Sequence, residues 1–223
     1  MDRALLARPT LEAARALLGA RLVRDDATGR RVGRIVELEA YIGAEDRASH
    51  ARFGPTARNS VMFGPPGIAY VYLVYGMYHC LNVVTEPPGR PAALLIRAIA
   101  PIEGIELMRA ARLAQGRARR RSLAAGQPEA EARRIAALPV ARLASGPGLV
   151  AAAFGLDRSW TGVDLCDPAS PLRLERRPAG EPEPTILAAP RIGIAYAGEP
   201  WTRHPWRLLI AGDPAVSVPA RGE

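Results

Sequence analysis

Glycine and proline interrupt this chain throughout its length: 21 of each stand among 223 residues, and the apolar runs between them are short. The run from Ile96 to Ile102, for example, carries Arg97 and Pro101 inside it. Proline removes a backbone donor and glycine frees the backbone for tight turns, so the chain is divided into pieces that suit short strands and brief helices. A bilayer-spanning helix needs roughly twenty consecutive apolar residues, which no run here approaches. Met1 to Leu6 leads straight into charged, helix-like sequence rather than an apolar leader, so a cytoplasmic protein is expected. With no internal repeat and no linker-like stretch, residues 1–223 read as one domain. The fold class expected is α+β, a mainly antiparallel sheet with surrounding helices.

Helical spacing of Leu11, Ala14, Leu17 and Leu18 predicts a helix from Pro9 to Gly19, with Thr10 as its N-cap. Ala20 to Arg24 and Arg31 to Tyr41 read as a strand pair across a turn-rich segment. Residues 42–67 hold little periodicity and many Gly, Pro, Asn and Ser positions, which predicts a long loop with a short helix; such loops tend to be functional. Ile68 to Tyr75 and Tyr78 to Val84 flank Gly76-Met77 as a second hairpin. Ala92 to Ala98 reads as a strand, and Pro101 as the first turn of a helix reaching about Leu113. Residues 115–138, with Arg117-Ala118-Arg119-Arg120-Arg121, read as a charged surface helix or connection. A short helix is expected over Leu149 to Phe154, strands near Leu172 to Leu174, Arg191 to Ala195 and Trp206 to Ile210, and a surface loop from Pro178 to Pro184.

The net charge of +8 suits a polyanionic partner, and all 30 basic residues are arginine. A chain without lysine has no side-chain amine to form a Schiff base with a sugar aldehyde. Two cysteines, Cys80 and Cys166, without a CxxC pair, and three dispersed histidines, His50, His79 and His204, give no metal-ligand spacing. No metal or other cofactor is expected.

Two places concentrate chemistry. Glu37 and Glu39 share one face at the end of a strand, since side chains alternate. Taken alone, that pattern is a solvent-facing edge with Val36 and Leu38 inward; the long loop that follows suits a pocket wall instead. In the second hairpin, Tyr75-Gly76-Met77-Tyr78 sets bulky groups where an exposed turn belongs. A wedge for a base step, a dimer contact and a turn folded onto the core all fit that composition.

The motifs together resemble the alkyladenine (3-methyladenine) DNA glycosylases. The resemblance runs in order through Glu37-Leu38-Glu39-Ala40-Tyr41, Arg58-Asn59 with Met62-Phe63, Tyr70 to Tyr78, Cys80-Leu81-Asn82, Leu95-Ile96-Arg97-Ala98, Pro101-Ile102-Glu103-Gly104, Ser145-Gly146-Pro147 and Arg191-Ile192-Gly193. It covers nearly the whole chain, and its specificity comes from the set rather than from any one motif. It implies a curved sheet with a protruding hairpin, similar to the C-terminal domain of methionyl-tRNA formyltransferases. It also implies a monofunctional glycosylase without lyase activity, acting as a monomer on duplex DNA that contains damaged purines.

By position, the resemblance makes Glu39 the general base for a water nucleophile, with Arg97 and the backbone carbonyl of Ile192 helping to hold that water. Tyr41 and Tyr72 become the aromatics that sandwich an extruded base, with His50 as a contact edge and Asn82 as a gatekeeping amide. Tyr75 becomes the residue inserted in place of the flipped nucleotide, with Met77 beside it on the DNA-binding hairpin. Ala57, Tyr78-His79 and the 115–138 stretch depart from the family pattern and leave lesion preference open. The rival function, a non-catalytic nucleic-acid-binding module on the same scaffold, rests on fold analogy alone.

Overall fold

A computed structural model describes residues 1–122 and 128–220, without the side chains of 117–122 and 128. The arginine-rich segment therefore lies partly outside the described residues; α3 (Ile105–Ser122) and α4 (Pro128–Ala136) flank the gap. The strands are β1 (Arg21–Asp26), β2 (Gly29–Ile42), β3 (Ala69–Val74), β4 (Tyr78–Val84), β5 (Ala92–Glu103), β6 (Leu172–Glu175), β7 (Ile186–Ala189) and β8 (Arg207–Ile210). They form one open antiparallel sheet in the order β3-β4-β5-β2-β1-β6, with β8 joining β2 and β7 joining β8. The remaining helices are α1 (Arg3–Leu6), α2 (Thr10–Leu17) and α5 (Pro147–Phe154), so the α+β class holds.

The long strand β2 organises the molecule. One edge pairs with β5 along almost its entire length. Its other edge is shared: residues 29–34 pair with β1, and Glu37 to Glu39 pair with β8. Glu37 and Glu39 thus lie in the middle of the sheet rather than at its rim.

Alternation gives the sheet two different faces. Leu38, Ala40, Val71, Leu81, Val83, Leu94 and Ile96 point to one side and form the main core with Ala13, Ala14 and Leu17 of α2 and Val150, Ala151 and Phe154 of α5. Burying each large aliphatic side chain contributes about 1.5–3 kcal/mol. On the opposite face, cross-strand partners make a polar row: Tyr70 opposite Asn82, Asn82 opposite Leu95, Leu95 opposite Glu39, and Glu39 opposite Arg207. Partners in an antiparallel ladder project to the same side. The loop over residues 43–67 covers this second face with two 3-10 turns, His50–Phe53 and Ser60–Phe63.

Several elements differ from the sequence reading. Thr10 is the first residue of α2 rather than its cap, because its hydroxyl bonds the Glu86 carboxylate at 2.6 Å. No helix starts at Pro101: β5 continues to Glu103, with Pro101 opposite Gly33 at a register shift of β2. The helix begins only after Gly104, whose backbone is left-handed (φ +76°) and so close to Arg30 that a Cβ would collide with its carbonyl. Arg191 to Ala195 is not a strand; the strand lies earlier, at Ile186–Ala189, and residues 191–194 form a bend leading into a 3-10 turn at Ala195–Ala197. Its backbone is turned toward Glu39 instead of toward a ladder.

Candidate active site

Glu39 is completely buried, and three donors hold its carboxylate. The Ile192 amide donates to Oε1 at 2.7 Å, Arg97 Nη1 lies 3.2 Å from the same oxygen, and the Tyr41 hydroxyl donates to Oε2 at 2.9 Å. An ionised carboxylate has about four acceptor positions, so the hydrogen bonds from Ile192 and Tyr41 leave it further acceptor capacity. Glu37, also fully buried, takes Arg97 Nε and Arg207 Nη1 at 3.0 Å each and the Ser217 amide at 2.7 Å. Two carboxylates and two guanidinium groups thus share one buried cluster of balanced formal charge. Burial works against the charge on Arg97, but Glu39 and Glu37 outweigh it and raise its pKa. The solvent-facing edge that the alternation alone suggests at Glu37 and Glu39 does not form, because β8 covers it, and Tyr41 beyond Glu39 lines a pocket.

Tyr41 connects this cluster to a cavity. Its ring, with Tyr70, Tyr72, Asn82, Ala93, His50, Met62, Ala48 and Tyr196, lines a small pocket open to solvent. Alternation on β2 and β3 sets Tyr41 beyond Glu39 and Tyr72 beyond Tyr70 on the same face, while the small Ala93 leaves space between them. Burial and then the Glu39 charge hold the Tyr41 hydroxyl protonated well above its usual range. Burial likewise raises Tyr72, and pushes the Cys80 thiol behind it up to about 11.

His50 closes one side of the pocket. Its ring meets Tyr72 edge-on at 4.4 Å, and its Nδ1 is 3.0 Å from the Tyr70 hydroxyl. Asn59 anchors it by donating to the His50 carbonyl at 2.8 Å. Desolvation of the imidazole within the wall, followed by the positive charges of Arg58 and Arg52, lowers its pKa to about 4. Behind Tyr41 lies a second buried pair, Arg191 with Asp46 at 2.6 and 2.9 Å. That guanidinium lies between the rings of Tyr41 and Trp206, at 4.8 and 4.9 Å. Asp46 also accepts from the Ile42 and Ala48 amides, tying down the loop that leaves Tyr41.

The tip of the β3–β4 hairpin stands clear of the pocket. Tyr75 is 80% exposed and adopts a left-handed backbone (φ 51°) beside Gly76 (φ 66°), in a turn closed by Met77 donating to the Val74 carbonyl at 3.0 Å. Met77 is exposed next to it. A tyrosine held in this conformation is costly for folding, and such strain gathers at functional sites.

The model of the methylpurine-DNA glycosylase family matches residues 4–214. The chain belongs to that family. Membership makes it a DNA glycosylase, a hydrolase of DNA repair. A protein of Methanocella arvoryzae provisionally named a 3-methyladenine DNA glycosylase is 48% identical over 216 residues, covering 97% of this chain and 94% of the relative. One of Myxococcus xanthus, named in the same provisional way, is 42% identical over 218 residues, covering 97% and 93%. The human DNA-3-methyladenine glycosylase is 41% identical over 214 residues, covering 94% of this chain and 65% of the human protein.

Within this glycosylase the site residues chosen from sequence fall into three groups. Glu39, Arg97, Tyr41 and Ile192 are in direct contact, although the atom of Ile192 that meets Glu39 is its amide nitrogen. Tyr41, His50, Tyr72 and Asn82 surround one cavity. Tyr75 and Met77 sit apart at the hairpin tip. Sequence reasoning missed Glu37 as a partner of Arg97, the Asp46–Arg191 pair, and Tyr70, Met62 and Tyr196 as pocket walls. Period-two alternation could have found Tyr70; nothing local signals Asp46 and Arg191, which lie 145 positions apart. Among the described residues no group of three His, Cys, Asp or Glu side chains is placed to hold a metal ion. No described helix is long and apolar enough to cross a membrane.

Proposed function

We propose that the protein is a monofunctional 3-methyladenine DNA glycosylase that rotates alkylated or deaminated purines out of the duplex and cuts their N-glycosidic bond with water activated by Glu39. The observation that carries this reading is the hydrogen bond from the pocket wall to the buried carboxylate, Tyr41 Oη to Glu39 Oε2. It couples a cavity lined by aromatic rings to a buried carboxylate with acceptor capacity left for a water molecule.

In the reaction, the water gives a proton to Glu39 as its oxygen bonds to C1′ of the sugar. The C1′–N bond breaks, and its electron pair leaves with the base. Positive charge builds on the sugar in the transition state, and the carboxylate stabilises it. A cationic 3-methyladenine becomes neutral as it leaves, so no strong acid is required. Tyrosine rings suit such a base, since each cation–π contact contributes roughly 0.5–2 kcal/mol. Arg97 and the Ile192 amide orient Glu39 through one oxygen, and the Tyr41 hydroxyl holds the other. Tyr75 fills the stack from which the nucleotide departs, offsetting the few kcal/mol that extrusion costs. Asn82, donating to the Tyr70 carbonyl at 3.0 Å, stands rigid at the pocket edge and screens the base by shape.

A purely binding module would not need two buried carboxylates beside two buried arginines, an arrangement whose desolvation costs several kcal/mol per ion. The test is incubation with an alkylated duplex followed by alkali cleavage at abasic sites. Strand breaks dependent on the protein support the reading; their absence with undiminished duplex binding contradicts it.

A further inference from the structure

We propose that the groove beside the base pocket is a second nucleic-acid subsite, which takes the nucleotide next to the extruded one with its phosphate on Arg52 and its base against Phe53. This rests on the glycosylase reading above. The groove is lined by Arg52, Phe53, Thr56, Arg58 and Tyr196, and it shares Ala48, His50 and Tyr196 with the base pocket. The two cavities are therefore adjacent, and an occupant of one carries its chain neighbours past the other.

Phe53 is 81% exposed and Tyr196 66% exposed, and both line this groove. Single exposed apolar residues need no explanation, but two aromatic rings at one opening form a patch that folding does not account for. Arg52 lies against both, 4.5 Å from the Phe53 centroid and 5.7 Å from that of Tyr196. Its Nη1 also donates to the Arg47 carbonyl at 2.6 Å. A guanidinium stacked and tethered in this way loses little freedom when it meets a phosphate. Arg58 adds a second positive charge, and no carboxylate is among the residues lining the groove. Arginine with an exposed ring is the combination that holds unstacked nucleotides: charge follows the backbone and the ring accepts any base. A protein partner would fit the aromatic patch but would not explain its place beside the base pocket.

The test uses the full chain and a duplex containing one 7-methylguanine, under single-turnover conditions with the protein in excess. Phe53→Ala is expected to raise the half-saturating protein concentration roughly 5- to 150-fold, the range of one base–aromatic stack, while the maximal rate stays within twofold. Phe53→Trp should restore saturation. Arg52→Ala should raise the same concentration and lower the salt slope of binding by about one. Both side chains are at the surface, and unchanged thermal unfolding of the variants separates lost contact from lost fold. If Phe53→Ala and Arg52→Ala saturate like the parent while the parent releases base, the subsite is overturned and the glycosylase reading stands. If the parent releases no base from any alkylated duplex, both fall.

Discussion

Arg97 donates through Nε to Oε1 of Glu37 at 3.0 Å, with both side chains shut away from water. The same guanidinium reaches Glu39, so Glu37 sets where the arginine stands and how much of its charge Glu39 experiences. Removing one member of such a buried cluster leaves a charge without compensation, which costs about 3–5 kcal/mol. Glu37→Ala should therefore lower unfolding stability by about that amount in urea titration, although the residue lies outside the base pocket. Stability within 1 kcal/mol of the parent would mean that the cluster tolerates the loss.

Tyr75 presents the opposite balance, because its left-handed backbone opposes folding while its exposed ring, on the proposed mechanism, fills the DNA stack. Asparagine adopts that conformation more readily. Tyr75→Asn should match or exceed the parent's stability, by up to about 1 kcal/mol, while base release from duplex DNA falls. A destabilised variant would show that the ring supports the fold.

His50 carries a pH prediction. Its folded-state pKa of about 4 lies below the usual histidine value, because of desolvation first and then Arg58 and Arg52. Between about pH 6.5 and pH 4 the unfolded chain therefore binds the extra proton. This residue's contribution to stability is complete above that window and is lost as pH falls through it. NMR titration, with His50→Gln to assign the resonance, should place its midpoint near 4; a midpoint near 6.5 would contradict the described wall.

The mechanism also predicts what does not form. With no lysine in the chain, borohydride should trap no covalent adduct during turnover on alkylated DNA. Dependence of such an adduct on base release would require an amine nucleophile in place of water.

Local patterns carried much of this structure. The tyrosine hairpin, the strand from Arg31 to Tyr41 and the helix ending at Phe154 were legible because alternation and helical spacing are short-range signals. Pro101 misled for a physical reason: its fixed φ suits a helix start, yet at a bulge opposite Gly33 the missing N–H leaves no gap in the ladder that would end the strand. The burial of Glu37 and Glu39 depends on β8, about 170 positions away, which closes the strand edge they would otherwise present to solvent. The Asp46–Arg191 pair behind Tyr41 is equally long-range. Ordered family motifs pointed to Glu39 and Arg97, but the network holding them appears only when the sheet is assembled.

Glu39→Gln tests the central claim most directly. The amide keeps the shape and can still accept from Ile192, but Glu37 alone then faces Arg97 and Arg207, so the variant is expected to lose stability and is assayed at a temperature where its unfolding curve shows it folded. Single-turnover release of 7-methylguanine should fall at least about 1,000-fold, with duplex affinity within a few-fold of the parent. Release within tenfold of the parent rate would contradict Glu39 as the base that activates water.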